Sequence, residues 1–234
     1  MNSFVGKTFV VTGAAGHLGK AVAKTFRQHG ARLVLLDRDA DALHRAFDED
    51  ERTWLLEVDL LDREQVGSRL GELLPRVGGV AGLCHLAGGF RMGEAVHELS
   101  PVTWDLLLDL NARSFVNVAS VVVPRLISAG DGKVVTVGAA AALKANAHMG
   151  AYAASKSALI RLTEAMSAEL KERNINVNCV LPSIIDTPDN RSAMPEADAS
   201  RWVTPEALAD VISFLASDSA RAIHGAAIPV TGRV

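Results

Sequence analysis

The chain alternates short aliphatic and β-branched runs with longer stretches of helical period along nearly its whole length. Thr8-Phe9-Val10-Val11-Thr12 reads as a buried strand, because a continuous apolar run leaves no face for water. A helix follows over about His17 to His29, with Leu18, Ala21, Val22 and Phe26 at helical spacing and Gly30 to stop it. The same reading gives strands over Arg32–Leu36, Trp54–Val58, Val80–Leu86, Lys133–Val137, Ile175–Leu181 and Ala227–Thr231. Helices are predicted over about Asp39–Phe47, Asp62–Leu74, Pro101–Ser128 with an interruption near Asn111, Gly150–Arg173 and Pro205–Ala216. Strand–helix alternation of this kind implies parallel strands joined by right-handed crossovers, with helices on both faces of the sheet. The expected fold is a Rossmann-type doubly wound α/β sheet in one domain, residues 1–234. The exception to the alternation is a loop over about 183–203, long enough to be expected to serve a function.

Composition narrows the partners. Twenty-seven acidic side chains stand against 24 basic ones, a net charge of −3, which argues against a nucleic-acid surface. The longest stretch free of Asp, Glu, Lys and Arg, Val77 to Phe90, is broken by glycines and a histidine, so no membrane span fits there. Met1 to Val11 lacks the pattern of a signal peptide. Cys84 and Cys179 give neither a disulfide framework nor a metal spacing, and the histidines are scattered, so no metal is expected. These features predict a cytoplasmic protein acting on a small molecule.

The first strand runs into Thr12-Gly13-Ala14-Ala15-Gly16-His17-Leu18-Gly19, where a helix opens. Glycines let the backbone turn tightly and approach a pyrophosphate, and the helix N-terminus offers free N–H groups to the anion. Asp37, at the end of the second strand, suits an adenosine ribose and repels a 2′-phosphate, which favours NAD over NADP. Arg38 beside it either stacks on adenine or softens that preference. Asp59, followed by Leu60, either meets the adenine amine or caps the next helix. Tyr152-Ala153-Ala154-Ser155-Lys156 puts Tyr152 and Lys156 on one helix face. An ammonium near a phenol lowers the phenol pKa, giving a proton donor for hydride chemistry. Tyr152 is the single tyrosine of the chain.

The glycine turn, Asp37, Ala87-Gly88-Gly89 and the Tyr152/Lys156 pair together resemble the short-chain dehydrogenase/reductase superfamily over essentially the whole chain. The resemblance implies a seven-stranded sheet and Tyr152 as proton donor or acceptor. It implies that Lys156 lowers the pKa of Tyr152 and binds the nicotinamide ribose. Asn111 would kink the long helix and hold a water of a proton relay, and Pro182, Ile185 and Thr187 would grip the nicotinamide amide. Gly13, Gly16, His17, Leu18, Gly19, Leu60, Ala87, Gly88 and Gly89 complete the expected cofactor set. The family often forms dimers or tetramers through helices such as those over Asn111–Val123 and Ala151–Leu170, so a homodimer or homotetramer is expected.

The chain departs from the common pattern in three places. Ala139 stands where a substrate-orienting serine is usual, Leu86 precedes Ala87-Gly88, and His17 replaces a glycine of the turn. All three fit the dihydropteridine reductases, which Asp186-Thr187-Pro188-Asp189-Asn190-Arg191-Ser192-Ala193-Met194-Pro195-Glu196-Ala197-Asp198, Trp202 and Thr204-Pro205 also resemble. Asn111 points back to the wider superfamily. Three functions follow: NADH-dependent reduction of a quinonoid dihydropterin or similar planar acceptor, carbonyl or quinone reduction, or a non-catalytic dinucleotide sensor. Phe90, Met149 and Trp202 either line an aromatic-tolerant pocket or pack under a loop. Asn190 and Arg191 either meet the substrate or fix the loop. His85 and His148 read as structural or surface residues.

Overall fold

The computed structural model describes residues 3–234, so the first two residues of the expected 1–234 domain lie outside the described residues. Its strands are β1 (Thr8–Thr12), β2 (Arg32–Asp37), β3 (Thr53–Glu57), β4 (Val80–His85), β5 (Gly132–Val137), β6 (Ile175–Pro182) and β7 (Ala227–Val230). They form one seven-stranded sheet in the order β3-β2-β1-β4-β5-β6-β7, every neighbouring pair parallel. The order reverses between β1 and β4. In an open α/β sheet the crevice beyond the strand ends at such a reversal is where ligands sit.

Helices cover both faces, as the burial along each strand requires. In β2, Leu33 and Leu35 join one apolar cluster while Val34 and Leu36 join the other. Successive side chains of a strand point to opposite faces, so a strand buried on both sides carries no polar alternation. The first cluster packs α1 (His17–Gln28) and α9 (Pro205–Leu215) on the sheet through Val22, Phe26, Leu208 and Ile212. The second packs α6 (Ser114–Ala129) and α7 (Gly150–Leu170) through Phe115, Val118, Val122, Leu126 and Leu159. The helical run Pro101–Ala129 is long and apolar enough to cross a membrane by length and composition. Here its apolar side chains Phe115, Val118, Val122 and Leu126 are buried in that second cluster.

Local chemistry sets the boundaries. Asp39 caps α2 (Ala40–Ala46) by accepting from Ala42 N, and Gly130 ends α6 in the left-handed region at φ +70°. Two helices are interrupted by π-turns. One, Val66–Leu70, separates α3 (Arg63–Gln65) from α4 (Gly71–Leu73). The other, Asp109–Arg113, divides α5 (Pro101–Leu108) from α6 and contains Asn111. The expected interruption of the long helix is therefore a single widened turn rather than a break.

The largest difference from expectation lies in the 183–203 loop, which holds a short helix, α8 (Pro188–Ala193), and a 3-10 turn, Ala199–Arg201. Thr187 caps α8 by accepting from Asn190 N at 3.2 Å, and Pro188 occupies its first turn with φ already helical. Six residues are too few to display a helical period in the sequence.

Candidate active site

The glycine turn closes by contacts that forbid side chains. Gly13 adopts φ +64°, and a Cβ there would meet Ala87 Cα and N at 3.0 Å. At Gly19 a Cβ would overlap the Gly13 carbonyl oxygen and lie 2.6 Å from Ala14 Cα, so α1 packs directly on the turn. No side chain caps the first turn of α1 and no acidic residue stands in it, which suits an anion there. Gly16 is its N-cap, and His17 and Leu18 open the helix. Asp37 ends β2 and reaches back to this turn, its Oδ2 accepting from Ala15 N at 3.0 Å. Arg38 is exposed beside it.

Asp59 is exposed and does not cap the following helix. Its Oδ1 accepts from Leu61 N at 2.9 Å, and Asp62 is the cap, accepting from Gln65 N. Leu60 is buried, with its carbonyl accepting from Asn117 Nδ2 at 2.9 Å.

Across the crevice, Ala87, Gly88 and Gly89 leave β4 and run under Asn111. Asn111 and Gly89 exchange two hydrogen bonds: Gly89 N donates to Oδ1 at 2.9 Å, and Nδ2 donates to Gly89 O at 3.0 Å. The second Nδ2 proton goes to Ser155 Oγ at 2.9 Å, and Ser155 Oγ donates to Tyr152 O at 2.8 Å. Asn111 thus clamps the β4 turn to α7. Both amide protons are engaged by protein, so holding a relay water does not fall to them. A Cβ on Gly88 would lie 2.7 Å from Asn111 Oδ1 and 3.0 Å from Lys156 Nζ, and the missing side chain keeps that slot open.

Tyr152 is half-buried, and the Phe90 ring stands edge-on to it with centroids 4.8 Å apart. Lys156 is buried and its Nζ donates to Val137 O at 2.8 Å. The expected lowering of the phenol pKa is absent in the chain by itself. Burial pushes Tyr152 up to about 12, and burial also pulls Lys156 down to about 8. The phenol is therefore a protonated group at neutral pH, and Lys156 is a cation there.

Ala139 is buried after β5, and the 3-10 turn Ala140–Ala142 behind it is tied to α7, where Ser157 Oγ donates to Ala142 O at 3.0 Å. No hydroxyl stands at position 139. Met149 is the half-buried N-cap residue of α7.

The loop residues are occupied with one another. Asn190 Nδ2 donates to Ile185 O at 2.8 Å, and Arg191 grips Asp186 at both carboxylate oxygens, 2.6 and 2.8 Å. That guanidinium holds the Asp186 carboxyl below its usual range. Ile185 bridges Val203 in parallel, and Pro182 is buried at the end of β6. Trp202 is buried, as packing under the loop requires. His17 Nε2 lies 3.9 Å from Asp189 Oδ2, bringing α8 against the glycine turn.

Thus Gly13, Ala87, Gly88, Gly89, Asn111, Tyr152, Lys156 and Phe90 converge, whereas Asp59 stands exposed after β3 and Asn190 and Arg191 bind within the loop. Ser155, Thr12, His85 and Ser114 are missing from the expected set. Their signal in the sequence is weak: single polar residues inside otherwise apolar elements.

Known proteins share this fold. The family model described as Enoyl-(Acyl carrier protein) reductase matches residues 13–232. The 3-oxoacyl-[acyl-carrier-protein] reductase of Thermotoga maritima is 30% identical over 97% of both chains. The NAD-dependent glycerol dehydrogenase of Listeria innocua is 31% identical over 97% of this chain and 92% of its own. The structure of the 3-ketoacyl-(acyl-carrier-protein) reductase from Brucella melitensis complexed with NADH superposes with a TM-score of 0.89 over 99% of each chain, at 26% identity. The chain belongs to the short-chain dehydrogenase/reductase superfamily, and is an NAD(P)-dependent oxidoreductase of that class.

Proposed function

We propose that this enzyme uses NADH to reduce a quinonoid dihydropterin or a similar planar conjugated acceptor, with Tyr152 as proton donor. The observation that carries this reading is that Ala139 bears no hydroxyl and that the Ser155 hydroxyl is already given to Tyr152 O, which leaves the phenol as the donor. A ketone develops oxyanion charge that calls for donors from both a serine and the tyrosine, and Ala139 supplies none. A conjugated ring that accepts a hydride needs one proton on a nearby heteroatom, and Tyr152 Oη holds one at neutral pH. The Phe90 ring beside Tyr152, 59% exposed, offers an aromatic face to such a ring.

The residues fit a dinucleotide. Gly13 and Gly88 leave room where any Cβ would fill the cradle, and the open N-terminus of α1 faces the turn. Bound NADH supplies the hydride. Asp37 disfavours a 2′-phosphate, and the relatives named as NAD-dependent or complexed with NADH support the same preference. Lys156 Nζ, cationic at neutral pH, stands in the Gly88 slot to meet the nicotinamide ribose. Pro182, Ile185 and Thr187 border the nicotinamide end, and Met149 the acceptor. We take residues 1–234 as one domain, cytoplasmic, with both cysteines buried and free as a reducing compartment allows. We expect a homodimer or homotetramer through α6 and α7, where Val116 and Ile127 are exposed.

Carbonyl reduction is the second reading, favoured by the names of the relatives. Turnover with NADH and NADPH against quinonoid dihydropterin, quinones, ketones and 3-oxoacyl thioesters separates the two. NADH-driven turnover of the dihydropterin well above all ketones supports the proposal, and preferred reduction of ketones or thioesters overturns it. An NADPH preference overturns the role given to Asp37.

A further inference from the structure

Three buried polar side chains from three elements meet beneath the Leu86–Gly89 turn. Thr12 ends β1, His85 ends β4, and Ser114 opens α6 directly after the π-turn. None is more than 2% exposed. Thr12 and His85 are register neighbours across the parallel β1–β4 pair. Thr12 Oγ1 lies 3.1 Å from His85 Nδ1, and Ser114 Oγ lies 3.2 Å from His85 Nε2.

The remaining bonds determine where the protons are. Ser114 gives its hydroxyl proton to the Leu110 carbonyl at 2.7 Å. Its oxygen must then accept from the imidazole, so Nε2 carries the ring proton. On a neutral ring Nδ1 is then an acceptor, and Thr12 Oγ1 donates to it. The Thr12 lone pairs are left to accept from Leu86 N and Ala87 N, both at 3.1 Å. Every atom is matched, and all the bonds run in one sense. A proton on Nδ1 would face a Thr12 oxygen whose lone pairs are already used. Burial and the Lys156 charge act in the same direction, pulling the His85 pKa down to about 3.

We propose that His85 is a positioning residue of this enzyme. As a neutral Nε2–H imidazole it ties the Leu86–Ala87 main chain to the Leu110 carbonyl, one residue before Asn111. It thereby sets the distance between the β4 turn and the kinked helix. The Asn111–Gly89 pair spans the same gap nearer the crevice. The two ties together hold open the Gly88 slot between Asn111 Oδ1 and Lys156 Nζ. The role is indifferent to the acceptor, so it stands whichever substrate is reduced.

The test begins with the wild-type full chain. Nitrogen-15 NMR of the labelled histidines should show one buried ring as the neutral Nε2–H tautomer, unchanged from about pH 5 to 8, where an ordinary histidine titrates. His85→Gln, which removes that signal, assigns it. An Nδ1–H tautomer, or titration inside that range, overturns the proposal. His85→Leu, which keeps bulk and loses both ties, should weaken NADH binding about tenfold by fluorescence titration and lower kcat by about as much, the usual scale for leaving buried polar groups unpaired. His85→Gln, able to donate and accept, should stay closer to wild type in both. A folded His85→Leu variant that loses only thermal stability, with NADH Kd and kcat intact, overturns the proposal. Should that variant not fold, Ser114→Ala cuts one tie and carries the same Kd measurement with the same two outcomes.

Discussion

The two sides of the crevice are built on opposite plans. The turns after β1 and β4 are held by main chain and by absent side chains: Gly13 against Ala87, Gly19 against Ala14, Gly88 beneath Asn111 and Lys156. The 183–203 segment is held by its own side chains, through Asp186–Arg191, Asn190–Ile185 and the Thr187 cap. In the first, a single added carbon meets fixed backbone or a buried amide. In the second, the Asp186–Arg191 pair is open to solvent, which screens it and weakens its hold. The turns therefore define a rigid seat, whereas the outer part of the loop around α8 is held by bonds within the loop and meets that seat through His17 and Asp189, with the loop's end anchored by the buried Trp202 and Val203.

Substitutions can break or sharpen that contrast. Tyr152→Phe, on the rigid side, removes the chain's one phenol hydroxyl and should lower kcat by about 10²-fold or more, with NADH affinity little changed; wild-type turnover removes Tyr152 as proton donor. Gly88→Ala should weaken NADH binding by about tenfold or more, because its Cβ would lie 2.7 Å from Asn111 Oδ1, a buried amide pinned by its own hydrogen bonds, and forcing an extra carbon against a fixed neighbour costs about 1–3 kcal/mol. Calorimetric titration reads it, and unchanged affinity would mean the turn is as adaptable as the loop.

The pH profile probes the seat without a mutation. Lys156 has its pKa lowered to about 8 by burial, so its charge is present below that pH and lost as pH rises through it. Turnover should fall above about pH 8 while the phenol, at about 12, stays protonated. A flat profile to pH 10 would remove the charge of Lys156 from the chemistry. On the loop, Arg191→Ala should raise the acceptor KM by only about threefold and leave NADH affinity alone, as expected of an exposed pair. A loss of NADH binding there would show that loop and seat are one unit.

The same division explains what the sequence discloses. The seat is legible because each of its constraints is a residue type: a glycine where φ is positive or a Cβ is forbidden, an unbroken apolar run where a strand is covered twice. Asn111 announced a disturbance of its helix and sits in the π-turn. The loop is legible only as a string, because its bonds join residues three to five apart in a conformation without period. Asn190 and Arg191 carry groups fit for a substrate, and only coordinates reveal that Ile185 and Asp186 already hold them. The Tyr152–Lys156 spacing placed both on one helix face, but burial reversed the expected electrostatics. Spacing carries no information on how much water a site keeps. The Thr12–His85–Ser114 chain escaped for a similar reason: it joins residues far apart in sequence through strand register.

The site also carries its own spectroscopic label. Tyr152 is the only phenol in 234 residues, and it lies edge-on to Phe90 in the crevice. Any tyrosinate absorbance that appears on alkaline titration belongs to this one side chain. The ionisation of the proposed proton donor is open to direct reading in the unmodified protein, free of background from a second tyrosine.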